Sequence, residues 1–523
     1  MRVVCAAVIA LILGCAVVSA AEDTPAKVGD VVFETEFEGD EALAGWTGAP
    51  KLEPGHESQQ SLALERTDPD QPSAMSYHEV PVEQIRGCLL HVSGWARAQD
   101  VSEKPRSWNG VKLMLRIEAE GGMQHPQALI GVGSFDWQHF VYPVSVPRDV
   151  KRIQLCLGLE AVTGKAWFDD ITITVRKLPF VPKPPAQAGP VYKGHDLPRL
   201  RGAMISPRVD EESLRLFGEE WKANVVRWQL VGWRPQGNTL DLAAYDAWLD
   251  EQLALLDAAL PLCQKYGLYV VVDLHSPPGG GAESGRTLFS DAACQDKFLE
   301  NWRKMARKYR DSRIVWGYDL LNEPMEQAVA EGLDDWQQLA ERAAKAIREI
   351  DPDHAIIVEP PQGGNPFGLV QFNPIDVPRV VYSVHMYLPH SFTHQGVHGQ
   401  WTKQYAYPGE IDGQQWDKAR LEEALKPVVE FQQTYNVHIY IGEFSAIRWA
   451  PDNSAYRYLR DLVDIYEAND WDWTYHAFRE WSGWSVEHGP DPKNTERMET
   501  PTDREKLLRG WFAKNEKPPW YRE

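Results

Sequence analysis

The chain has 523 residues and carries 54 Lys and Arg against 75 Asp and Glu, a formal net charge of −21. Such acidity disfavours nucleic acids and anionic membrane surfaces as partners and leaves uncharged polymers open. The 21 Trp are unusual, because Trp is hard to bury completely and often offers a flat apolar face to a ligand. The length predicts at least two domains.

The N-terminus has the pattern of a secretory leader. One basic residue precedes an apolar run from Val3 to Val18, and small residues follow at Ser19, Ala20 and Ala21. This predicts a signal peptide over residues 1–21 and a secreted protein, extracellular or periplasmic. A lipoprotein cleavage site at Cys15 is the minor alternative. Without that lipid anchor we expect no membrane association, since no later segment is long and apolar enough to cross a bilayer.

Cysteine usage says little about function. After removal of the leader the chain keeps Cys88, Cys156, Cys263 and Cys294. These are too few for a disulfide scaffold, and their spacing matches no zinc motif. Whether Cys88 pairs with Cys156, or Cys263 with Cys294, stays open.

Residues 30–176 alternate apolar and polar side chains in short runs. Two examples are "VKLMLRIE" from Val111 and "RIQLCLGLE" from Arg152, and no convincing helix lies between such runs. The pattern predicts an antiparallel β-sandwich. Segments 94–98, 135–147 and 164–175 resemble the jelly-roll carbohydrate-binding modules attached to polysaccharide-degrading enzymes. That resemblance implies a sugar-binding module, and a spacer sandwich without a ligand is the alternative. Trp108 is the candidate for stacking on a sugar, and we expect the core to hold Trp95, Trp137 and Trp167.

A Pro-rich segment, residues 177–198, predicts an extended, semi-rigid linker.

Beyond the linker, residues 199–523 repeat a pattern of apolar strand followed by helix. One predicted helix steps through Leu253, Leu256 and Leu260 and meets Gly267, a residue suited to a helix C-cap. Eight strands are predicted, at 200–205, 224–230, 268–275, 314–321, 354–360, 380–387, 438–444 and 473–478. Eight βα units predict a (β/α)8 TIM barrel, so the fold class is a barrel preceded by an all-β jelly-roll sandwich.

Polar residues collect at the ends of these strands, where a TIM barrel places its active site. They are Arg227, His275, Asn322, Glu323, His385, Tyr387 and Glu443. Any one of them alone could be a capped or paired surface residue. Together, at one rim of otherwise apolar strands, they predict a functional site.

The order and context of these residues resemble glycoside hydrolase family 5, the cellulase-like family of clan A. The matching pieces cover the chain from about residue 199 onwards, and they are "VVRWQL", "VVDLHSPPGG", "YDLLNEP", "YSVHMY", "FTHQG" and "IGEF". The resemblance implies a retaining hydrolase of β-glycosidic bonds that needs no cofactor. Its two glutamates would be Glu323 as acid/base and Glu443 as nucleophile, with carboxyls about 5 to 5.5 Å apart rather than the about 6.5 to 9.5 Å of an inverting enzyme.

The resemblance also implies roles for the neighbours. Arg227 and Tyr387 would hold Glu443 ionised, and Asn322 would bind the sugar's 2-hydroxyl. His275 and His385 would orient the sugar or the acid/base. Trp481 is the candidate for an apolar floor, although many family members carry Trp at the end of strand eight, where this chain has His476. The remaining candidates line neighbouring subsites or belong to the core, and they are Trp228, Trp233, Trp401 and Trp484.

Several alternatives stay open. A β-linked glucan with endo-action is the first prediction, and a β-mannanase or an exo-acting β-glucosidase type is the second. A carbohydrate-binding protein on a decayed barrel is a different class, disfavoured by the intact pair of glutamates. A metal site at His390, His394 and His398 is disfavoured because these residues lie in a loop and match no metal motif. Oligomeric state is not predicted.

Asn322 and Glu323 raise a geometric question. Neighbouring residues of a regular strand point to opposite faces, so a strand cannot deliver both side chains to one sugar. We therefore expect the backbone to leave strand geometry at this step. Were Asn322 to point into the helix layer, its predicted role would fail.

Overall fold

The computed structural model describes residues 26–187, 189, 195–234, 240–280, 288–326, 329–330 and 332–521, with the side chain of His398 excepted. The predicted signal peptide at residues 1–21, Cys15 and part of the predicted linker lie outside these residues. The chain divides into two compact units, Met1–Phe180 and Val181–Glu523. No helix in the described parts of the chain has both the length and the apolar character needed to cross a bilayer.

The first unit is built from antiparallel strands. They are β1 Val31–Thr35, β2 Lys51–Glu53, β3 Ser61–Arg66, β4 Ser73–Val80, β5 Leu89–Val101, β6 Gly110–Ala119, β7 Gly122–Gln124, β8 Gly133–Ser145, β9 Arg152–Glu160 and β10 Gly164–Lys177. One sheet has the order β2-β3-β10-β5-β8 with β1 beside β10, and the other has the order β4-β9-β6-β7. Leu90 and Val92 of the first sheet share a core with Leu113 and Leu155 of the second. The predicted β-sandwich is confirmed.

Of the three tryptophans predicted for the core of this unit, Trp167 is buried as predicted, whereas Trp95 and Trp137 are only half-buried. On β5 and β10, the residues that enter the shared core include Ala96 and Phe168, the immediate neighbours of Trp95 and Trp167. Because side chains alternate along a strand, both tryptophans lie on the outer face of the sheet. Trp167 is covered there by Lys165, and Trp95 is stacked on His56 at 3.7 Å between ring centroids. Trp137 of β8 is half-buried on the same face, 5.8 Å from the His56 ring.

The second unit contains the predicted barrel. Its strands are β11 Arg201–Ile205, β12 Val225–Gln229, β13 Tyr269–Asp273, β14 Val315–Asp319, β15 Ala355–Val358, β16 Val380–Met386, β19 His438–Phe444 and β20 Asp472–Phe478, with a separate hairpin of β17 Gly409–Ile411 and β18 Gln414–Trp416. The eight barrel strands pair in parallel and close, β20 beside β11. This confirms the predicted TIM barrel.

Helices alternate with these strands. They are α1 Glu211–Arg215, α2 Leu242–Tyr266, α3 Ala292–Tyr309, α4 Trp336–Arg348, α5 His390–Thr393, α6 Lys418–Tyr435, α7 Ser454–Ala468 and α8 Asp503–Phe512, with a π-helical turn at Leu216–Glu220 and short 3₁₀ turns at Pro366–Gln371, Val397–Gly399 and Pro451–Asn453. Sequence signals explain the boundaries of α2: the Asp241 side chain caps its N-terminus, and Gly267 ends it in the left-handed conformation at φ 67°.

The barrel separates a packed interior from a polar rim. Val225, Val271, Trp316, Ile357 and Tyr440 form a cluster distinct from the larger core between strands and helices. Strand residues are buried on both faces, which explains their near-continuous apolar character. In the described parts of both units the four cysteines Cys88, Cys156, Cys263 and Cys294 are free and buried, so none of them pairs with another.

Candidate active site

Arg227 is the hub of the barrel mouth. It lies on β12, it is fully buried, and its guanidinium reaches carboxylates from other strands of the barrel. Nε donates to Asp319 Oδ2 at 2.8 Å, Nη1 to Glu443 Oε1 at 2.6 Å, and Nη2 to Glu359 Oε1 at 3.0 Å. Nη2 also lies 3.2 Å from Asp273 Oδ1. One planar cation therefore fixes the relative positions of carboxylates that are far apart in sequence.

These buried carboxylates carry more negative charge than one guanidinium balances. Three histidines of the same rim supply further positive charge, and they are His275, His385 and His476. Burial lowers the pKa of each histidine, but neighbouring carboxylates outweigh burial and raise it above the ordinary value of 6.5. The rim is thus a compensated cluster of buried charges, in which removal of one member leaves others unpaired.

Glu443 ends β19 and is held in its ionised form. Its Oε1 accepts from Arg227, its Oε2 accepts from the Tyr387 hydroxyl at 2.8 Å, and His476 Nδ1 lies 3.5 Å from Oε2. Burial raises the pKa of Glu443, but the positive charges of His385, His476 and Arg227 outweigh it and hold the pKa well below the usual range. This carboxylate is therefore negatively charged at neutral pH.

Tyr387 serves as a hydrogen-bond donor in this cluster. Burial, and then the adjacent charge of Glu443, raise the pKa of Tyr387 well above its ordinary value of 10. The hydroxyl consequently keeps its proton and donates a hydrogen bond to Glu443, while His476 Nδ1 contacts the hydroxyl oxygen. Both contacts orient the carboxylate towards the mouth of the barrel.

Asn322 and Glu323 both reach the mouth. Strand β14 ends at Asp319, and the backbone of Glu323 takes a left-handed conformation with φ 46°. Asn322 Oδ1 accepts from Arg227 Nη2 at 3.2 Å, and Glu323 Oε1 accepts from His385 Nδ1 at 3.0 Å. The departure from strand geometry that the sequence required is present, and Asn322 does not point into the helix layer.

The other predicted binding residues lie at different distances from this centre. His275 donates from Nδ1 to Asp273 Oδ2 at 2.9 Å and is partly exposed at the mouth. Trp481 is 38% exposed, and its ring lies 5.6 Å from that of Trp484. Trp484 in turn lies 5.7 Å from the ring of His476, which occupies the end of β20. The strand-end position beside Glu443 is therefore taken by an imidazole.

The remaining aromatic candidates divide between core and surface. Trp228 is buried in the core, and the half-buried Trp233 lies in the loop after β12 with its ring 5.4 Å from that of Tyr245. Trp401 is 40% exposed and lies 5.7 Å from the ring of His394. His394 lies 5.1 Å from the Tyr387 ring. An aromatic wall thus extends from the centre along the loop after β16.

Sequence reasoning missed three buried carboxylates, Asp273, Asp319 and Glu359. Each follows an apolar run in a predicted strand, in "YVVVD", "VWGYD" and "AIIVE". The same strand-end criterion that selected Glu323 would have found them. The sequence reasoning also missed Glu480, whose carboxylate accepts a hydrogen bond from Gln229 Nε2 at 2.8 Å and lies 3.4 Å from His476 Nε2.

Two groups of side chains have donor atoms close enough for a metal ion among the described residues. They are Glu323, His385 and Glu443 at the mouth, and His195, His438 and Asp472 at the opposite end of the barrel. In the second group both imidazoles contact Asp472 Oδ2, and His195 Nδ1 accepts from the Leu197 N–H at 3.1 Å. The His195 proton therefore sits on the nitrogen that faces Asp472, as in a hydrogen-bonded structural cluster rather than a metal ligand.

Comparisons with known proteins agree with this geometry. The family model described as cellulase, glycosyl hydrolase family 5, matches residues 192–485. Endoglucanase C of Acetivibrio thermocellus is 29% identical over 247 residues, 42% of this chain and 71% of that protein. Cellodextrinase A of Ruminococcus flavefaciens is 32% identical over 201 residues, 37% of this chain and 57% of that protein.

Solved structures include a crystal structure titled as that of a glycoside hydrolase, 24% identical with a TM-score of 0.48 over 60% of this chain and 99% of that one. Another is Thermotoga maritima Cel5A with cellobiose, 24% identical with a TM-score of 0.46 over 61% of this chain and 99% of that one.

A closed parallel barrel with a glutamate pair at the C-terminal ends of two strands defines a glycoside hydrolase. The family-model match covers more than half of the chain and identifies the family. This chain belongs to glycosyl hydrolase family 5, the cellulase family.

Proposed function

We propose that the protein is a secreted, retaining, endo-acting β-glucanase that uses Glu443 as nucleophile and Glu323 as acid/base. One observation carries the mechanism: an oxygen of Glu323, an oxygen of Glu443 and a ring nitrogen of His385 lie within 4.8 Å of one another. So close an approach of two carboxyl oxygens supports the separation of about 5 to 5.5 Å typical of retaining enzymes rather than the separation of about 6.5 to 9.5 Å in inverting enzymes.

The environments of the two glutamates support the division of labour. The side chain of Glu443 is 5% exposed and ionised by three cationic neighbours, as a nucleophile requires. The side chain of Glu323 is 32% exposed at the open side of the site, where a leaving group and then a water can reach it. Two carboxyls with different surroundings can hold opposite protonation states.

In the first step Glu443 attacks the anomeric carbon while Glu323 protonates the departing oxygen, and the glycosidic bond breaks. A covalent glycosyl ester on Glu443 results. In the second step Glu323 removes a proton from water, which attacks the same carbon and releases Glu443. Asn322 would bind the 2-hydroxyl, where hydrogen bonds strengthen in the transition state. His275, Trp481 and the aromatic wall would hold the sugar.

The substrate assignment rests on relatives. Several carry the name endoglucanase, including those of Acetivibrio thermocellus and Paenibacillus polymyxa, the latter 29% identical over 184 residues. We propose a β-linked glucan cleaved internally. A β-mannan or terminal release of glucose is the second possibility within the same mechanism.

A polysaccharide screen tests this proposal. Barley β-glucan, carboxymethylcellulose and mannan would be incubated with the enzyme while viscosity and reducing ends are recorded. We expect a rapid fall in viscosity at low bond cleavage on a β-glucan, abolished in Glu443→Ala. Absence of hydrolysis on all polymers and on aryl β-glycosides would favour a non-catalytic binding protein. Loss of activity on chelation would favour a metal-dependent hydrolase instead.

For the first unit we propose binding of the same polymer through Trp108. This ring is 53% exposed, which leaves apolar surface for a ligand, and the Arg106 guanidinium lies 5.2 Å from its centre. For localisation we propose export with cleavage after residue 21. Mass spectrometry of the exported protein tests the cleavage point, and a lipidated Cys15 would contradict it.

A further inference from the structure

We propose that Glu359 is a positioning residue for the acid/base, holding the backbone of Glu323 and the ring of His385 in the geometry that proton transfer requires. The inference rests on the proposed function of Glu323. Glu359 follows β15 and is completely buried, so it touches no sugar. Its two oxygens reach the acid/base by two separate routes.

The first route is through the backbone. The left-handed conformation of Glu323, at φ 46°, is one that residues with a side chain rarely adopt. Glu359 Oε2 accepts the Glu323 N–H at 2.9 Å, a hydrogen bond strengthened by the carboxylate charge. This contact holds the turn that directs the Glu323 side chain into the mouth of the barrel.

The second route is through His385. Its Nδ1 donates to Glu323 Oε1 at 3.0 Å, and its Nε2 lies 3.0 Å from Glu359 Oε1. Burial lowers the pKa of His385, but Glu359 and then Glu443 outweigh burial and raise it well above its ordinary value. A protonated ring that pairs with the Glu359 carboxylate keeps Nδ1 as a donor to Glu323 Oε1 and fixes the orientation of the Glu323 carboxyl.

The chain around Glu359 is shaped to keep the carboxylate in place. A Cβ at Gly364, where φ is 67°, would lie 2.5 Å from Glu359 Oε2 and 3.3 Å from His385 Cγ. The Gly364 carbonyl accepts the His385 N–H at 2.8 Å, and the Gly363 N–H donates to the Pro324 carbonyl at 3.1 Å. The segment after β15 is thus tied both to the residue after Glu323 and to His385.

Glu359 also contacts Arg227, so a second role must be separated from the first. If Glu359 served only as a counterion for Arg227, its loss would disturb Glu443, and the hydrolysis of every substrate would fall alike. If it positions Glu323, the loss depends on how much help the leaving group needs. A sugar alkoxide needs a proton from Glu323, whereas 2,4-dinitrophenolate leaves without one.

The experiment compares kcat/KM of Glu359→Gln on cellotetraose and on 2,4-dinitrophenyl β-cellobioside. This parameter reports the first chemical step, before Glu323 acts as a base. We expect a loss of roughly 10²-fold on cellotetraose and of only a few-fold on the aryl glycoside. The matched control is Asp351→Asn, a fully buried carboxylate at the opposite end of the barrel that bonds Tyr318 and His354. The control should retain wild-type values on both substrates.

A second readout does not depend on activity. Nitrogen-15 NMR of the imidazoles, with His385 assigned by comparison with His385→Gln, should show both ring nitrogens protonated at pH 7 in the wild type and in Asp351→Asn. In Glu359→Gln we expect the ring to lose its proton at a lower pH than in the wild type, because one of its neighbouring carboxylates is gone. Should that variant fail to fold, Gly364→Ala, which displaces the Glu359 carboxylate, should give the same selective loss.

Equal losses on the two substrates, unchanged kinetics, or a His385 that titrates as in the wild type would overturn the inference. A wild-type enzyme that cleaves neither substrate would instead overturn the proposed function, and the NMR result would still decide whether Glu359 controls His385. The two failures are therefore distinguishable.

Discussion

Arg227 Nη1 lies 2.6 Å from Glu443 Oε1, and both side chains are buried. The same guanidinium contacts Asp273, Asp319 and Glu359. The Arg227–Glu443 contact links the stability of the barrel mouth to its chemistry. The buried carboxylates around Arg227 are shielded from water, so they depend on the guanidinium to compensate their charge. A cation that neutralises several anions in the interior cannot be removed without leaving uncompensated charge.

Arg227→Met tests this linkage. We expect a decrease of about 3–5 kcal/mol in the free energy of unfolding, together with loss of hydrolysis. Urea unfolding measures the first effect. Arg460→Met is the matched control, since its partly exposed guanidinium pairs with Asp461 on a helix and should contribute less than about 1 kcal/mol. Equal midpoints for the two variants would contradict the role of Arg227 as hub.

Tyr387→Phe removes one donor from Glu443 while keeping the ring. A hydrogen bond to a charged group contributes about 1.5–3 kcal/mol, so we expect kcat/KM to fall by roughly 10- to 100-fold. Tyr309→Phe, which loses a hydroxyl contact to Asp257 on the outer helices, should leave kcat/KM unchanged. Steady-state kinetics on cellotetraose provides the measurement, and similar values for the two variants would show that the Tyr387 hydroxyl is not used.

The pH dependence of stability should reveal His354. Its Nδ1 lies 2.6 Å from Asp351 Oδ2 and its Nε2 lies 2.8 Å from the Ser312 carbonyl, so both nitrogens face acceptors. Burial lowers the pKa of His354, but the bond to Asp351 outweighs burial and raises it above 6.5. A histidine whose pKa is raised in the folded state stabilises the fold fully at pH values below its unfolded-state pKa of about 6.5. That stabilisation is lost as the pH rises through the folded-state pKa.

Calorimetric Tm values of the wild type and of His354→Gln at pH 5.5 and pH 9 check this sign. The difference between the two proteins should be larger at pH 5.5. A difference that grows with pH would mean that the folded protein holds His354 neutral.

Trp108 and Trp401 should affect different properties. Trp401 lies on the aromatic wall near the catalytic centre. We expect Trp401→Ala to raise KM for cellotetraose by roughly 2- to 10-fold and to change kcat little. Trp108→Ala should leave that KM unchanged and weaken retention in a gel containing soluble β-glucan. Each variant is the control for the other. A Trp108→Ala protein with unaltered mobility would indicate a sandwich that only spaces the catalytic unit.

The barrel was predictable because its strands are apolar on both faces and its helices carry caps such as Asp241 and Gly267. Glu323, Glu443 and Arg227 were predictable because charged residues are conspicuous at the ends of such strands. Asp273, Asp319 and Glu359 end similar apolar runs and could have been found by the same criterion. Their burial around Arg227 could not be predicted, because it is favourable only if one cation reaches them all. That condition depends on closure of the barrel, which no local pattern records.

The errors in the sandwich have a similar origin. Alternation along β5 and β10 separates two faces but does not say which face holds the core. Trp95 was assigned to the core by residue type, whereas the smaller Ala96 enters it. Trp167 is buried as predicted, but it lies outside the cluster that its neighbour Phe168 joins. The face was set by the pairing of the two sheets.

Mechanism-based labelling addresses the catalytic proposal most directly. The enzyme would be incubated with 2,4-dinitrophenyl 2-deoxy-2-fluoro-β-cellobioside, digested, and its peptides sequenced by mass spectrometry. We predict one added fluorocellobiosyl group, located on Glu443, with release of one equivalent of dinitrophenol. A label on any other residue, or turnover of cellotetraose by an enzyme that never becomes labelled, would contradict a double displacement through Glu443.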